Sequence, residues 1–206
     1  MIKKGIILAG GLGTRMSPIT KSINKQLLPI YDKPLIYYPL SILMLAGVRE
    51  ILIIVNKGSI PEFKKVILNG ENLGLKIKYA EQDKPKGLPD AFKIGKNFIG
   101  KDNVALILGD NFFYGQSLTE KLSSITKLKK GATIFAYPVK NPERFGIVSL
   151  KGKKILSLVE KPKKTKSNLA VTGLYFFDNS VIKKTLKLKP SRRKELETID
   201  LLKLYL

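Results

Sequence analysis

Through the first two thirds of the chain, short runs of consecutive apolar residues alternate with stretches whose apolar positions recur every three or four residues. Apolar runs bounded by glycine or polar residues predict buried strands over 5–9, 51–55, 77–80, 104–108 and 133–139. The stretches between them predict helices over 35–46, 61–68, 89–97 and 118–127, with Pro61 suited to a first helical turn and Gly47 and Gly100 to helix ends. Such alternation implies an α/β fold around a largely parallel sheet, whose right-handed crossovers place the strand carboxyl ends along one ligand-binding edge. From Gly146 the rhythm changes to strand-like pieces at 147–150, 155–159 and 173–177, followed by helices over 180–188 and 196–204. That change predicts a small antiparallel addition over the binding edge. No internal repeat or low-complexity linker divides the chain, so the expectation is one domain spanning 1–206.

Composition narrows the chemistry. The 206 residues include no His and no Cys, which excludes a Ser-His-Asp triad, a thiol nucleophile, a thiolate or imidazole zinc site and any disulfide. A metal would have to sit on oxygen ligands, which favours magnesium. The N-terminal apolar run stops at Gly10, too soon for a signal peptide or a membrane span, and a cytoplasmic protein with no membrane partner is expected. At Leu206 the chain stops in mid-helix without a cap, so a shortened form of something longer is expected.

The formal net charge of +22 raises the question of a nucleic acid. Only five of the 38 cations are Arg (Arg15, Arg49, Arg144, Arg192 and Arg193), and base readout leans on Arg. Lysine runs at 151–154, 161–166 and 183–194 come with no nucleic-acid-binding motif. The charge therefore reads as a lysine-rich surface without a nucleic-acid partner, whose field would still concentrate nucleotides and sugar phosphates.

Five segments carry candidate chemistry. In G-I-I-L-A-G-G-L-G-T-R-M-S-P, starting at Gly5, a strand runs through Leu8 and Ala9 into Gly10, Gly11 and Gly13, then Thr14 and Arg15. Glycines there let backbone N–H groups approach phosphate oxygens, and Arg15 adds a planar cation. The spacing fits neither a Walker A loop nor a dinucleotide fingerprint, and a plain strand-to-helix turn is the alternative. Lys25, in K-Q-L-L-P, could fold back over the same phosphates. In L-I-L-G-D-N a strand ends in Gly109 and Asp110, placing a carboxylate where it could hold Mg²⁺, or merely start a turn. V-E-K-P delivers Glu160 and Lys161, suited to the hydroxyls and phosphate of a sugar phosphate, or forming a surface pair. E-L-E-T-I-D sets Glu195, Glu197 and Asp200 in the most basic stretch; Asp200 is a candidate second metal carboxylate, or these acids neutralise neighbouring cations.

Taken in order, G-G-L-G-T-R, K-Q-L-L-P-I-Y-D-K-P-L-I-Y-Y-P-L, L-M-L-A-G, Q-D-K-P-K-G-L, L-G-D-N-x-F-Y-G, R-F-G-I-V, E-K-P and G-L-Y-F-x-D-N resemble the sugar-nucleotide pyrophosphorylases over nearly the whole chain. The resemblance implies a Rossmann-like nucleotidyltransferase fold with a mixed, mainly parallel sheet. It also implies the reaction of a sugar 1-phosphate with a nucleoside triphosphate, with dTTP and glucose 1-phosphate as the leading pair and Mg²⁺ as cofactor. Uridylyl transfer, another sugar 1-phosphate or a catalytically weak nucleotide binder are the alternatives. By the same resemblance, Leu8 to Gly13 and Thr14 hold the nucleotide, Arg15 and Lys25 neutralise the triphosphate, and Gln26, Gln82 and Gly87 face the base. Asp110 and Asp200 hold the metal, while Gly146, Glu160, Lys161 and Val171 line the sugar-phosphate site. The product would feed deoxysugar and polysaccharide synthesis. A homo-oligomer is open, with the family's tetramer contacts expected to be missing.

The chain departs from the family pattern at three places. Pro89 follows Gly87 and Leu88, Gln116 stands where His is usual, and Thr198 and Ile199 exchange the usual E-L-E-I-T-D order beside Asp200.

Overall fold

Four parallel strands carry the centre of the molecule in the computed structural model, which describes residues 1–152 and 154–206. They are β1 (Lys4–Leu8), β4 (Glu50–Asn56), β5 (Lys76–Gln82) and β6 (Val104–Leu108). Between β1 and β4 lie a short ribbon of β2 (Pro29–Ile30) and β3 (Lys33–Pro34) and then helix α1 (Tyr37–Leu45). Helix α2 (Ile60–Ile67) joins β4 to β5, and α3 (Asp90–Ile94) with α4 (Lys96–Ile99) joins β5 to β6. The expected helix over 89–97 is thus two pieces meeting at Gly95, which sits tightly against Ile6 and Leu52 of the sheet.

In β1, β4 and β6 the side chains alternate between two buried faces, as the two-residue strand period requires. Ile7, Ile51, Ile53 and Ile107 pack with Leu40, Leu43 and Phe63 of α1 and α2, whereas Ile6, Leu52, Ile54 and Leu106 pack with Phe92 and Ile99 on the other side. Burial on both faces explains why these strands read as continuous apolar runs. The first face is completed by Leu122 of α5 (Leu118–Ile125), the second by Val181 of α6 (Val181–Leu186) and Leu201 of α7 (Thr198–Lys203).

The remaining strands are β7 (Ala132–Pro138), β8 (Gly146–Lys151), β9 (Lys154–Glu160) and β10 (Leu169–Phe177). Strand order is β5-β4-β1-β6-β10-β8-β9, with β7 also paired to β10. Leu174 to Phe177 run antiparallel to β6, and further back along β10 Ala170 pairs with Ile147 of β8. The antiparallel piece therefore extends the central sheet instead of forming a separate layer. Lys153, inside the expected basic run 151–154, lies outside the described residues. Among the described residues no helix is long and apolar enough to cross a membrane.

Asp178 ties the end of β10 to the start of β7. Its Oδ2 accepts from the Gly131 N–H at 2.6 Å, and its Oδ1 accepts from the Ser180 N–H at 3.0 Å and the Ser180 hydroxyl at 2.5 Å. Burial pushes its carboxyl up, but these hydrogen bonds outweigh it and hold the group below the ordinary carboxylate value. We expect Asp178→Ala to lower unfolding stability in urea by about 1–3 kcal/mol near neutral pH. Because the folded value is depressed, the part of that difference carried by the charge should be complete above the ordinary carboxylate pKa and lost as pH falls through the lower folded value.

Candidate active site

Leu8 pairs with both Ile54 and Leu108, and Asn56 pairs with Gln82, so the carboxyl ends of all four parallel strands lie along one edge. Strand order reverses at β1, and the chain leaving β1 must diverge from the chain leaving β6. Between them opens a cleft of about 390 Å³ lined by Leu8, Gly10, Gly11, Gln26, Gln82, Gly87 and Asp110. Ala9, expected with them, is fully buried beneath the loop, where its N–H donates to the Ile54 carbonyl.

Gln82 reaches from the end of β5 into the glycine loop. Its Nε2 donates to the Gly10 carbonyl at 2.7 Å and lies 3.4 Å from Asn56 Oδ1, an arrangement that fixes the amide with Oε1 as its remaining acceptor. A Cβ on Gly10 would fall 2.0 Å from that nitrogen, so the loop approaches this closely only because residue 10 is glycine. Gly13, at φ 61°, then opens the turn Thr14–Met16, on which Thr14 and Arg15 are exposed at the rim.

Lys25 and Gln26 arrive on the turn Lys25–Leu27, where the Asn24 side chain accepts from the Gln26 N–H at 3.1 Å. The β2–β3 ribbon, unannounced in the sequence because its two-residue strands hold prolines and no alternation, brings the chain back so that the Ile36 N–H donates to the Gln26 carbonyl at 2.8 Å. This delivers Lys25 Nζ to 2.6 Å from Asp110 Oδ2. Gln26 is buried at 2 % exposure, and its Oε1 is a buried acceptor without a partner among the described residues. Gly87 closes the far side at φ 94°, where a Cβ would fall 2.1 Å from the Leu196 carbonyl oxygen. The C-terminal segment thereby forms one wall, contributing Glu195 and Thr198.

The expected sugar-phosphate residues cluster at the base of the β8–β9 hairpin, beside the cleft and not in its lining. Gly146 pairs with Glu160, and the Lys161 N–H donates to the Phe145 carbonyl at 3.0 Å. Lys161 is exposed, with its backbone at φ 43°, a strained left-handed conformation of the kind that recurs at ligand sites. Val171 lines an adjoining cavity of about 590 Å³, which shares Leu108 and Tyr175 with the cleft. Burial keeps the Tyr175 hydroxyl protonated by raising its pKa.

Asp200, the expected second metal carboxylate, lies on α7. On α7 Thr198 lines the cleft, and a residue two positions further along a helix points about 200° away. Asp200 instead pairs with Lys203 at 2.9 Å on the same helix. Among the described residues no group of three or more acidic side chains could hold a metal ion. Glu197 and Asp200 are thus each paired with a cation.

Arg193 was hidden in a basic run and only the fold singles it out. Its Nη2 donates to Glu197 Oε2 at 2.6 Å and to Glu160 Oε1 at 3.1 Å, and its Nε donates to Glu197 Oε1 at 3.2 Å. Ser191 donates its hydroxyl to Glu197 Oε1 at 2.6 Å. Tyr175, Thr198 and Asn56 were also missed; none stands in a motif whose chemistry is visible without the neighbouring strands. Burial pushes the Glu160 carboxyl up and the charge of Glu197 adds to this, against the pull of Arg193 and Lys161.

A mixed sheet with a glycine loop, a cation–carboxylate pair and buried amides at its switch point is a nucleotide-binding arrangement, and the comparisons agree. Residues 4–206 match the nucleotidyl transferase family model, and the chain belongs to that family. It is 55% identical over 204 residues to the glucose-1-phosphate thymidylyltransferase of Neisseria meningitidis, covering 98% of this chain and 71% of that one. The corresponding protein of Mycobacterium tuberculosis is 52% identical, covering 98% of this chain and 70% of the relative. A Bacillus anthracis crystal structure described as a glucose-1-phosphate thymidylyltransferase in complex with a sucrose superposes with a TM-score of 0.90 at 39% identity, covering 98% of this chain and 82% of that one. UDP-glucose pyrophosphorylase complexed with UDP-glucose gives 0.82 at 28% identity, with coverages of 99% and 86%.

Replacing Glu197 by Gln removes the like charge that helps raise Glu160 and leaves Arg193 free to favour the Glu160 carboxylate. Glu160 should then titrate at lower pH, read by carboxyl-carbon NMR. An unmoved titration would mean that desolvation alone sets its value.

Proposed function

We propose that this chain transfers the thymidylyl group of dTTP to glucose 1-phosphate, giving dTDP-glucose and pyrophosphate in the cytoplasm. The observation that carries the reading is the convergence of the glycine loop, the Lys25–Asp110 pair and two buried glutamine amides on one cleft, in a chain about half identical to glucose-1-phosphate thymidylyltransferases. Gln82, with Oε1 as its remaining acceptor, matches the ring N–H of a thymine. Gln26 brings a second acceptor that a nucleotide donor would satisfy.

A sugar phosphate is largely ionised at neutral pH because its second pKa is about 6. Its oxygen attacks the α-phosphorus, the bond from that phosphorus to the bridging oxygen breaks, and the electron pair leaves with pyrophosphate. No general base is needed, which suits a chain without histidine or cysteine. The work left to the protein is alignment and neutralisation of charge. Backbone N–H groups of the Gly10 to Gly13 loop face the phosphates, Arg15 and Lys25 offset their charge, and Glu160 and Lys161 hold the sugar phosphate.

The donor set at the cleft fits magnesium carried in by the nucleotide, since one carboxylate plus phosphate oxygens is a common way of holding that ion. Asp110 would hold it. When bound, the ion neutralises charge on the phosphates.

Uridylyl transfer is the second reading, favoured by the same Gln82 acceptor, because uracil presents the same ring N–H as thymine. Pyrophosphate release with Mg²⁺, glucose 1-phosphate and each of dTTP, UTP, CTP, ATP and GTP separates the readings. We expect release to require both substrates and to be fastest with dTTP, and Asp110→Ala or Lys25→Ala to slow it by about 10²-fold or more without changing the melting temperature. Fastest release with UTP would select the second reading, and no release from folded protein would overturn both. Gly10→Ala, by expelling the Gln82 amide, should weaken dTTP binding at least about tenfold while leaving the fold intact, read by equilibrium binding.

A further inference from the structure

The two oxygens of the Asp110 carboxylate are held in different ways. Oδ2 meets the Lys25 ammonium at 2.6 Å, whereas Oδ1 accepts from the Asn111 side-chain Nδ2 at 3.1 Å. The other end of the same amide is also engaged, since Asn111 Oδ1 accepts from the Gly173 N–H of β10 at 3.2 Å. Turning the amide over would set oxygen against carboxylate and N–H against N–H, so its orientation is determined.

Gly173 makes the contact possible. It lies where the β10–β7 register shifts, between Val171 and Tyr175. A Cβ there would fall 2.4 Å from Asn111 Oδ1 and 2.7 Å from Leu108 Cδ1. Any larger residue would push the Asn111 amide out of the gap between β6 and β10.

We propose that Asn111, seated on Gly173, is the positioning residue for the Asp110 carboxylate, holding Oδ1 so that Oδ2 is the oxygen offered to a divalent ion. The proposal rests on the magnesium-dependent transfer described above. Oδ1 is tied to a neutral amide anchored in the sheet, so it stays turned away. Oδ2 is tied to an ammonium on a flexible stem, which can give way to a divalent cation and then serve the phosphates. Partners that orient a metal-binding carboxylate in this manner typically govern metal affinity by about 10–100-fold.

The test uses the full chain with Mn²⁺ as the probe, its free concentration read by electron paramagnetic resonance in the presence of dTTP. Asn111→Ala should weaken Mn²⁺ binding about 10–100-fold and raise the half-saturating Mg²⁺ for pyrophosphate release by a similar factor. The KM for dTTP at saturating metal should change less than about twofold, because the glycine loop and the glutamines are untouched. Gly173→Ala should reproduce the weakened metal binding. The double variant should be no worse than Asn111→Ala, because alanine at 111 leaves no amide to displace. Wild-type affinity in Asn111→Ala, or losses that add in the double variant, would overturn the role of Asn111 alone. Failure of the wild-type chain to bind Mn²⁺ with dTTP would overturn the magnesium-dependent reading, and this inference with it.

Discussion

The site depends on β1 being paired on both sides by parallel strands. With Leu8 bonded to β4 on one side and β6 on the other, the chain leaving β1 cannot stay in the plane of the sheet and must rise out of it. The loop after β6 leaves alongside, with Gly109 packed against Ala9 and Gln26, and the gap between the two loops is the cleft. Side chains are excluded where the Gln82 amide crosses Gly10 and where Gly109 packs on Ala9, Gln26 and Leu8, so Gly10 and Gly109 are requirements of packing before they are features of ligand binding.

Charge shapes the same region in a second way. In a chain with 38 cations and 16 acids, four of the carboxylates around the site are paired: Asp110 with Lys25, Glu160 and Glu197 with Arg193, and Asp200 with Lys203. Part-exposed pairs of this kind contribute little to stability. Their importance is positional. Arg193 ties the C-terminal segment to the end of β9, and Lys25 ties the segment after β1 to the end of β6. Each pair holds together parts of the chain that are far apart in sequence and that a ligand must meet at once.

The exchange of Thr198 and Ile199 shows how a small sequence departure is absorbed. Thr198 enters the cleft lining beside Tyr175, while Ile199 is buried with its side chain over Gly146, near Glu160. The first turn of α7 thus presents a hydroxyl to the nucleotide side and an aliphatic surface to the hairpin.

Strands buried on both faces are legible as apolar runs, and β1, β4 and β6 stand within one residue of where that pattern puts them; the edge strand β5, with Lys76, Lys78 and Glu81 exposed, was legible only in part and runs on to Gln82. The glycine loop and Asp110 were legible for a related reason: each follows directly on such a strand, so its position along the sheet edge comes with the strand. The surroundings of Asp200 were not legible, because its neighbours in sequence say nothing of which face of α7 it occupies. Arg193 was indistinguishable from the lysines around it until Glu197 and Glu160 came within reach. The sequence by itself determined the sheet, the loops at its edge and the kinds of group available, because these follow from local periodicity and from residue chemistry. Only the tertiary structure decided which of those groups meet, because the pairs 25 with 110, 82 with 10, 173 with 111 and 193 with 160 are formed by strand order and register, to which no local stretch of sequence has access.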